Sequence, residues 1–235
     1  MNARLPLLLV LTAALAAACG SHARAPLSDL TLAHEFDAPD RDDWQMPHAI
    51  VQALELQPGM SVVDLGAGTG YMLPFLSQAV GADGKVIAVE VQADFLSMLR
   101  VRAHHEQLPN ITVLEDTATS LPLTEKVDRV LLLDTYRELE QPVAMLRAVR
   151  AALRPGGRVV IVDARPEPQI EGPPPEQRLS AQTVEAEARG AGLAVIADSD
   201  HLPRQYLLVL ADESEAAKLP PPPAAPPPPS PHKEN

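Results

Sequence analysis

The groups in this chain best placed to do chemistry are four carboxylates and three glycines. Asp64, Glu90, Asp116 and Asp134 each lie at the end of an apolar run, and Gly66, Gly68 and Gly70 follow the first of them at alternate positions. Such glycines let the backbone take positive φ and let a ligand approach where a Cβ would collide. The stretch Asp64-Leu65-Gly66-Ala67-Gly68-Thr69-Gly70 thus has the makings of a cofactor-binding turn between an apolar strand and an apolar helix. The start of that helix, expected near Thr69, would add free N–H groups. A dinucleotide fingerprint would place its third glycine at position 71, where Tyr71 stands instead. A carboxylate such as Glu90 suits a pair of ribose hydroxyls, because both its oxygens accept while the hydroxyls donate.

The elements that must position these residues alternate between strand and helix. Strands are expected at Ser61 to Leu65, Lys85 to Val91, Ile111 to Leu114, Val127 to Asp134 and Arg158 to Asp163. Helices are expected between them, one after Pro47, which suits a first turn, and another from Pro142 to Leu153. A further helix, Ala181 to Arg189, precedes two short apolar runs, Leu193 to Ile196 and Tyr206 to Leu210. This alternation predicts an α/β fold with a parallel sheet between two helical layers. Ligands of such sheets bind beyond the carboxyl ends of the strands, and all four carboxylates fall there.

Composition narrows the partners. The 235 residues carry 19 lysines and arginines against 31 acids, a net charge of −12, and only 3% are aromatic. A phosphate backbone would be repelled and unpaired bases would find few stacking platforms, so no nucleic-acid partner is expected. The histidines show no spacing with acids or cysteine that would define a metal site, and none is expected. Residues 1–25 have the layout of an export signal, with Arg4, an apolar core from Leu5 to Ala18, then small residues. Two cleavage sites compete: Cys19 as the lipidated first residue of a lipoprotein, or cleavage after Ala25. The expected location is the periplasm or the outer membrane, with membrane contact only through a lipid at Cys19. The alternative is a cytoplasmic enzyme with an N-terminal extension. Residues 213–235 are proline-rich and expected to be a disordered tail, which leaves 26–212 as one domain.

The turn after Asp64 is similar to motif I of the class I S-adenosylmethionine-dependent methyltransferases. Leu153-Arg154-Pro155-Gly156-Gly157 before the fifth strand is a second point of similarity. Trp44-Gln45-Met46-Pro47 and Leu133-Asp134-Thr135-Tyr136 resemble the W-Q-x-P and V-D-x-Y of methyltransferase-domain proteins of exported bacterial type, many of which have histidine where this chain has Arg137. The resemblance, over roughly 44–211, implies a three-layer Rossmann-like sandwich, its mostly parallel seven-stranded sheet closed by an antiparallel C-terminal hairpin. It implies S-adenosylmethionine as methyl donor. Gly66, Ala67, Gly68 and Gly70 would pass under the methionine part, and Asp64 would hold the turn or the amino group. Glu90 would take the ribose, and Asp116 with Thr117 the adenine end. Asp134 and Tyr136 would orient the acceptor, and the helix before the first strand would close the pocket, bringing Trp44 and Gln45 near its mouth. Packing of Trp44 against the core is an equal alternative. Arg178 could pair an anionic acceptor or simply pair with Glu176 at the surface. Asp134-Thr135-Tyr136 lacks the N/D-P-P-Y/F of enzymes that methylate exocyclic base or amide nitrogens, and the single cysteine argues against chemistry that uses thiols. The implied activity is methyl transfer to a small-molecule or lipid-like acceptor, the alternative being a non-catalytic binding module on the same fold.

Overall fold

The computed structural model describes residues 36–116, 121–167 and 172–219. The expected export signal with Cys19, Thr117, Glu171 and residues 220–235 lie outside them. Seven strands form one sheet: β1 (Ser61–Leu65), β2 (Lys85–Glu90), β3 (Ile111–Glu115), β4 (Val127–Leu133), β5 (Leu153–Ala164), β6 (Leu193–Ser199) and β7 (Gln205–Asp212). Their order is β3-β2-β1-β4-β5-β7-β6, parallel except where β7 pairs antiparallel with β5 and with β6.

Alternation along the strands explains the layers. Val62, Val86, Ala88, Leu131 and Val160 face one side of the sheet, while Val63, Ile87, Val89, Val130 and Ile161 face the other. Both faces are covered, so these strands read as nearly unbroken apolar runs. On the first face lie α2 (Pro47–Leu54), α3 (Leu73–Val80) and α4 (Ala93–His105), which contribute Ile50, Leu54, Leu76, Val80 and Leu99. On the second lie α5 (Pro142–Ala152) and α6 (Ala181–Gly190), with Met145, Leu146, Val149 and Val184. Proline stands in the first turn of α2, α3 and α5, where its missing N–H costs nothing. Ser180 caps α6 by accepting from the Thr183 N–H at 3.1 Å.

The structure departs from the sequence expectations at three places. The helix after β1 starts at Leu73 rather than near Thr69, because Gly66, Gly68 and Gly70 all have left-handed φ (76°, 54° and 87°), which no helix continues. The turn itself, not a helix N-terminus, therefore faces the ligand side. Arg154 to Gly157 form a bulge inside β5 rather than a turn before it: Val127 pairs with Leu153 and Arg129 with Arg158, so the extra residues bow out of the ladder. The expected tail begins with structure, since Glu213–Ala216 make a short helix, α7, capped by Asp212.

Candidate functional site

Strand order reverses at β1 and β4, and a cavity of about 60 Å³ opens there, beyond the carboxyl ends of the two strands. The turn supplies Gly66, Ala67, Gly68 and Thr69 to its wall. Only glycine fits at position 66, because a Cβ there would lie 2.3 Å from the Thr135 side chain. At Gly68 a Cβ would reach 3.4 Å from Phe36, across the opening. The rest of the wall comes from Asp64, Leu133, Asp134 and Thr135 on the strand ends, from Tyr71 and Met72, and from Phe36 and Arg41.

Phe36 and Arg41 belong to a strap, residues 36–46, that crosses the glycine turn. Phe36 packs on Phe95 of α4 with ring centroids 5.8 Å apart, and Asp37 pairs with Arg102 at 2.8 Å. The short helix α1 (Arg41–Gln45) follows, tied down where the Tyr71 hydroxyl donates to Asp42 at 2.6 Å. The helix expected to close the pocket, α2, contributes no residue to the cavity wall; Phe36 and Arg41 ahead of it do. Trp44 sits partly exposed between two guanidiniums, Arg41 at 5.9 Å and Arg204 at 4.7 Å from its ring centroid. Gln45 is fully buried beneath it rather than at the mouth.

Asp64 lies on the cavity wall, 2% exposed, with no hydrogen bond to its carboxylate among the described residues. Burial pushes its carboxyl up to about 7; Arg41 pulls it down and Glu90 pushes it further up. The Thr69 hydroxyl, 3% exposed, also lacks a partner. Two buried polar groups facing one cavity without partners fit a ligand that supplies them. The expected carboxylate at the end of β2 is engaged differently. Glu90 Oε2 accepts from the Gly68 N–H at 2.9 Å, and Oε1 accepts from the Val91 and Gln92 N–H groups at 2.8 and 3.0 Å. Glu90 thereby braces the glycine turn, and its oxygens keep further lone pairs for ribose hydroxyls. Asp116 is buried at the end of β3, away from the cavity wall.

Asp134 lies where β4 ends, in the left-handed region at φ 56°, uncommon for a residue other than glycine. Its Oδ1 accepts from Arg137 Nη1 at 3.0 Å and its Oδ2 from Gln205 Nε2 at 2.9 Å. Arg137 in turn spans to Asp163 at the end of β5. Gln205 reaches this edge because β7 runs antiparallel, pairing it with Ala164. Tyr136 does not join them. The single 3₁₀ turn Tyr136–Glu138 points its ring into the core on the α6 side, where the 1% exposed phenol donates to Glu187 at 2.6 Å. Its expected role in orienting an acceptor is therefore corrected to a structural one. Arg178 donates to the carbonyls of Pro173 and Glu167, each at 2.7 Å, rather than pairing with Glu176, and holds the loop before α6.

Residues 62–157 match the family described as "Methyltransferase domain". The chain carries a class I S-adenosylmethionine-dependent methyltransferase domain. Over 106 residues it is 32% identical to a demethylmenaquinone methyltransferase of Lactococcus lactis, covering 45% of this chain and 42% of that one. Over 122 residues it is 30% identical to a ubiquinone/menaquinone biosynthesis C-methyltransferase of Coxiella burnetii, covering 51% and 48%. The chain thus spans less than half the length of these curated relatives. Among solved structures, the methyltransferase domain superposes on a SAM-dependent methyltransferase from Aquifex aeolicus with TM-score 0.75 and 27% identity, covering 79% of this chain and 98% of that one. The glycine turn, Asp64 to Gly70, lies inside the matched segment. Arg41, Gln205 and the strap lie outside it.

Proposed function

We propose that this chain transfers the methyl group of S-adenosylmethionine to a small-molecule or lipid-like acceptor. The observation that carries this is Asp64: a buried carboxylate without a hydrogen-bond partner among the described residues, beside three left-handed glycines, on the wall of a cavity at the strand-order reversal. Asp64, Gly66 to Thr69 and Glu90 would hold the donor, which when bound supplies a methyl group on a positively charged sulfur leaving group. The chain's own residues then have to align the acceptor and keep water out. Asp134, with each oxygen already accepting a hydrogen bond, serves as a fixed anion that orients a group rather than as a mobile base. Phe36, Tyr71 and Met72 give the opening an apolar lining. The quinone-ring substrates in the relatives' names support an acceptor of similar polarity. Phe36 and Arg41 of the strap line this cavity of about 60 Å³ and so bound the space left to a ligand.

Isothermal titration of the chain with S-adenosylmethionine and S-adenosylhomocysteine should give saturable binding, and labelled methyl from the donor should appear in a product from host extract. Absence of binding ends the proposal. Binding without product supports the second possibility, a non-catalytic module, which is favoured by the conflict between an export signal and a donor made in the cytoplasm. Export, to the periplasm or the outer membrane, is supported by the sequence of residues 1–25. The mass of the mature N-terminus decides it, because lipidated Cys19 or a start at Pro26 requires export while an intact Met1 opposes it.

A further inference from the structure

We propose that Arg41 reads the carboxylate of an α-amino-acid group whose ammonium end meets Asp64, with Gln45 and Gln205 as positioning residues that hold Arg41 in register with Asp134. This rests on the donor assigned above, which carries such a group.

Arg41 and Asp64 share the cavity wall and are 7% and 2% exposed. The Arg41 guanidinium lies over the Tyr71 ring at 3.9 Å. Its Nε and Nη2 donate to Gln45 Oε1 at 3.3 and 3.2 Å, and its Nη1 donates to the Phe36 carbonyl. A guanidinium has five N–H groups, so one remains on each terminal nitrogen. Among the described residues no carboxylate neutralises it closely: the nearest carboxylate oxygen, Asp134 Oδ2, is 3.9 Å away and already accepts from Gln205. One wall therefore offers a cation with two spare donors, and with it an anion with spare acceptors. A carboxylate can take a forked pair of N–H bonds from arginine, and an ammonium group satisfies a lone buried aspartate. A neutral nucleoside does neither.

The two glutamines can connect Arg41 to Asp134 in only one orientation. Arginine only donates, so Gln45 must present its oxygen to Arg41 and its amide nitrogen to Gln205. Gln205 then accepts on Oε1 and donates from Nε2 to Oδ2 of Asp134. Both ends of the chain of bonds dictate the same amide directions. Gln45 and Gln205 are 0% and 2% exposed, so a break leaves polar groups unpaired in a dry setting and frees Arg41 to swing. The donor side, through Arg41, and the acceptor side, through Asp134, are thus tied by one set of hydrogen bonds between α1, β7 and the end of β4.

The test is titration of the whole chain with S-adenosylhomocysteine and with 5′-methylthioadenosine, which keeps the nucleoside thioether and lacks the amino-acid end. Arg41→Met should weaken S-adenosylhomocysteine about 10- to 100-fold and change 5′-methylthioadenosine less than about threefold. Arg41→Lys, which keeps the charge and loses the fork, should fall between. Gln205→Met should weaken S-adenosylhomocysteine alone, by about three- to tenfold, and should add nothing in the Arg41→Met background. Retained 5′-methylthioadenosine binding reports an intact pocket. Unchanged S-adenosylhomocysteine affinity in Arg41→Met, equal loss of both ligands, or an undiminished Gln205→Met effect without Arg41 overturns the assignment. A wild type that binds neither compound overturns the donor reading and this assignment with it.

Discussion

Asp64→Asn is expected to be more stable than the wild type at pH 8, by about 2 kcal/mol, while binding S-adenosylhomocysteine more weakly. Burial holds the Asp64 carboxyl near 7 against an ordinary value of 3.8. In the unfolded chain it loses its proton first as pH rises, so between about 4 and 7 the folded state binds more protons and stability falls with pH. Above 7 the deficit is complete, and a difference of about three pKa units corresponds to about 4 kcal/mol. Asparagine removes that deficit but places an amide where no described residue offers a hydrogen bond, which returns about 1–3 kcal/mol of it. The net gain should raise the melting temperature roughly 4–8 °C at pH 8, shrink as the pH falls below 7 and turn into a net loss near pH 4, where the deficit is gone and the cost of the amide remains. Melts across that range check it, and a variant less stable than wild type at pH 8 would contradict the stated environment of Asp64. The same environment should make wild-type binding stronger at pH 8 than at pH 6, because a cationic group beside Asp64 favours its ionised form, as Arg41 does and Glu90 does not.

What the sequence discloses of this site is what is local in it. Asp64 and the three glycines stand within one turn, so residue type and spacing suffice to mark them, and the two-sided apolar runs mark the strands that carry them. Arg41 is hidden by its neighbours: between Asp40, Asp42 and Asp43 it resembles a solvated surface residue, yet it is buried. Gln205 is hidden by distance, since its partner Gln45 lies 160 residues away and only the antiparallel pairing of β7 with β5 brings it to the site edge. Tyr136 misleads for the opposite reason. It stands two residues from Asp134, but the 3₁₀ turn carries its ring into the core beside α6 while Asp134 stays on the cavity wall. The apolar setting of Tyr136, between Leu133 and Leu139, is the signal that could have placed it in the core.

Arg137→Ala is expected to cost about 3–5 kcal/mol of stability, the usual cost of breaking a buried ion pair from one side. Its guanidinium is 9% exposed and lies between Asp134 and Asp163, the latter 1% exposed. Burial works against the charge on Arg137, but the two carboxylates outweigh it and raise its pKa. Burial pushes the Asp163 carboxyl up, and Arg137 with the Ala164 N–H pulls it down while Asp134 pushes it further up. Without the arginine, two carboxylates face each other, and the Asp163 pKa in the fold rises further above its unfolded value. That penalty grows as pH rises through and beyond the ordinary carboxylate range, so the deficit should be largest at pH 8 and shrink in acid as Asp163 takes a proton. Urea unfolding at pH 5 and pH 8 measures it, and a loss under about 1 kcal/mol at pH 8 would show the cluster to be well solvated. Adding Asp163→Asn to Arg137→Ala should recover part of the loss by removing one of the stranded charges. Arg137→His should hold the pair together only while the imidazole is charged, so its deficit should grow as the pH rises through the histidine range. Arginine keeps its charge over that whole range, and so holds Asp134 in place while Asp64, across the cavity wall, titrates.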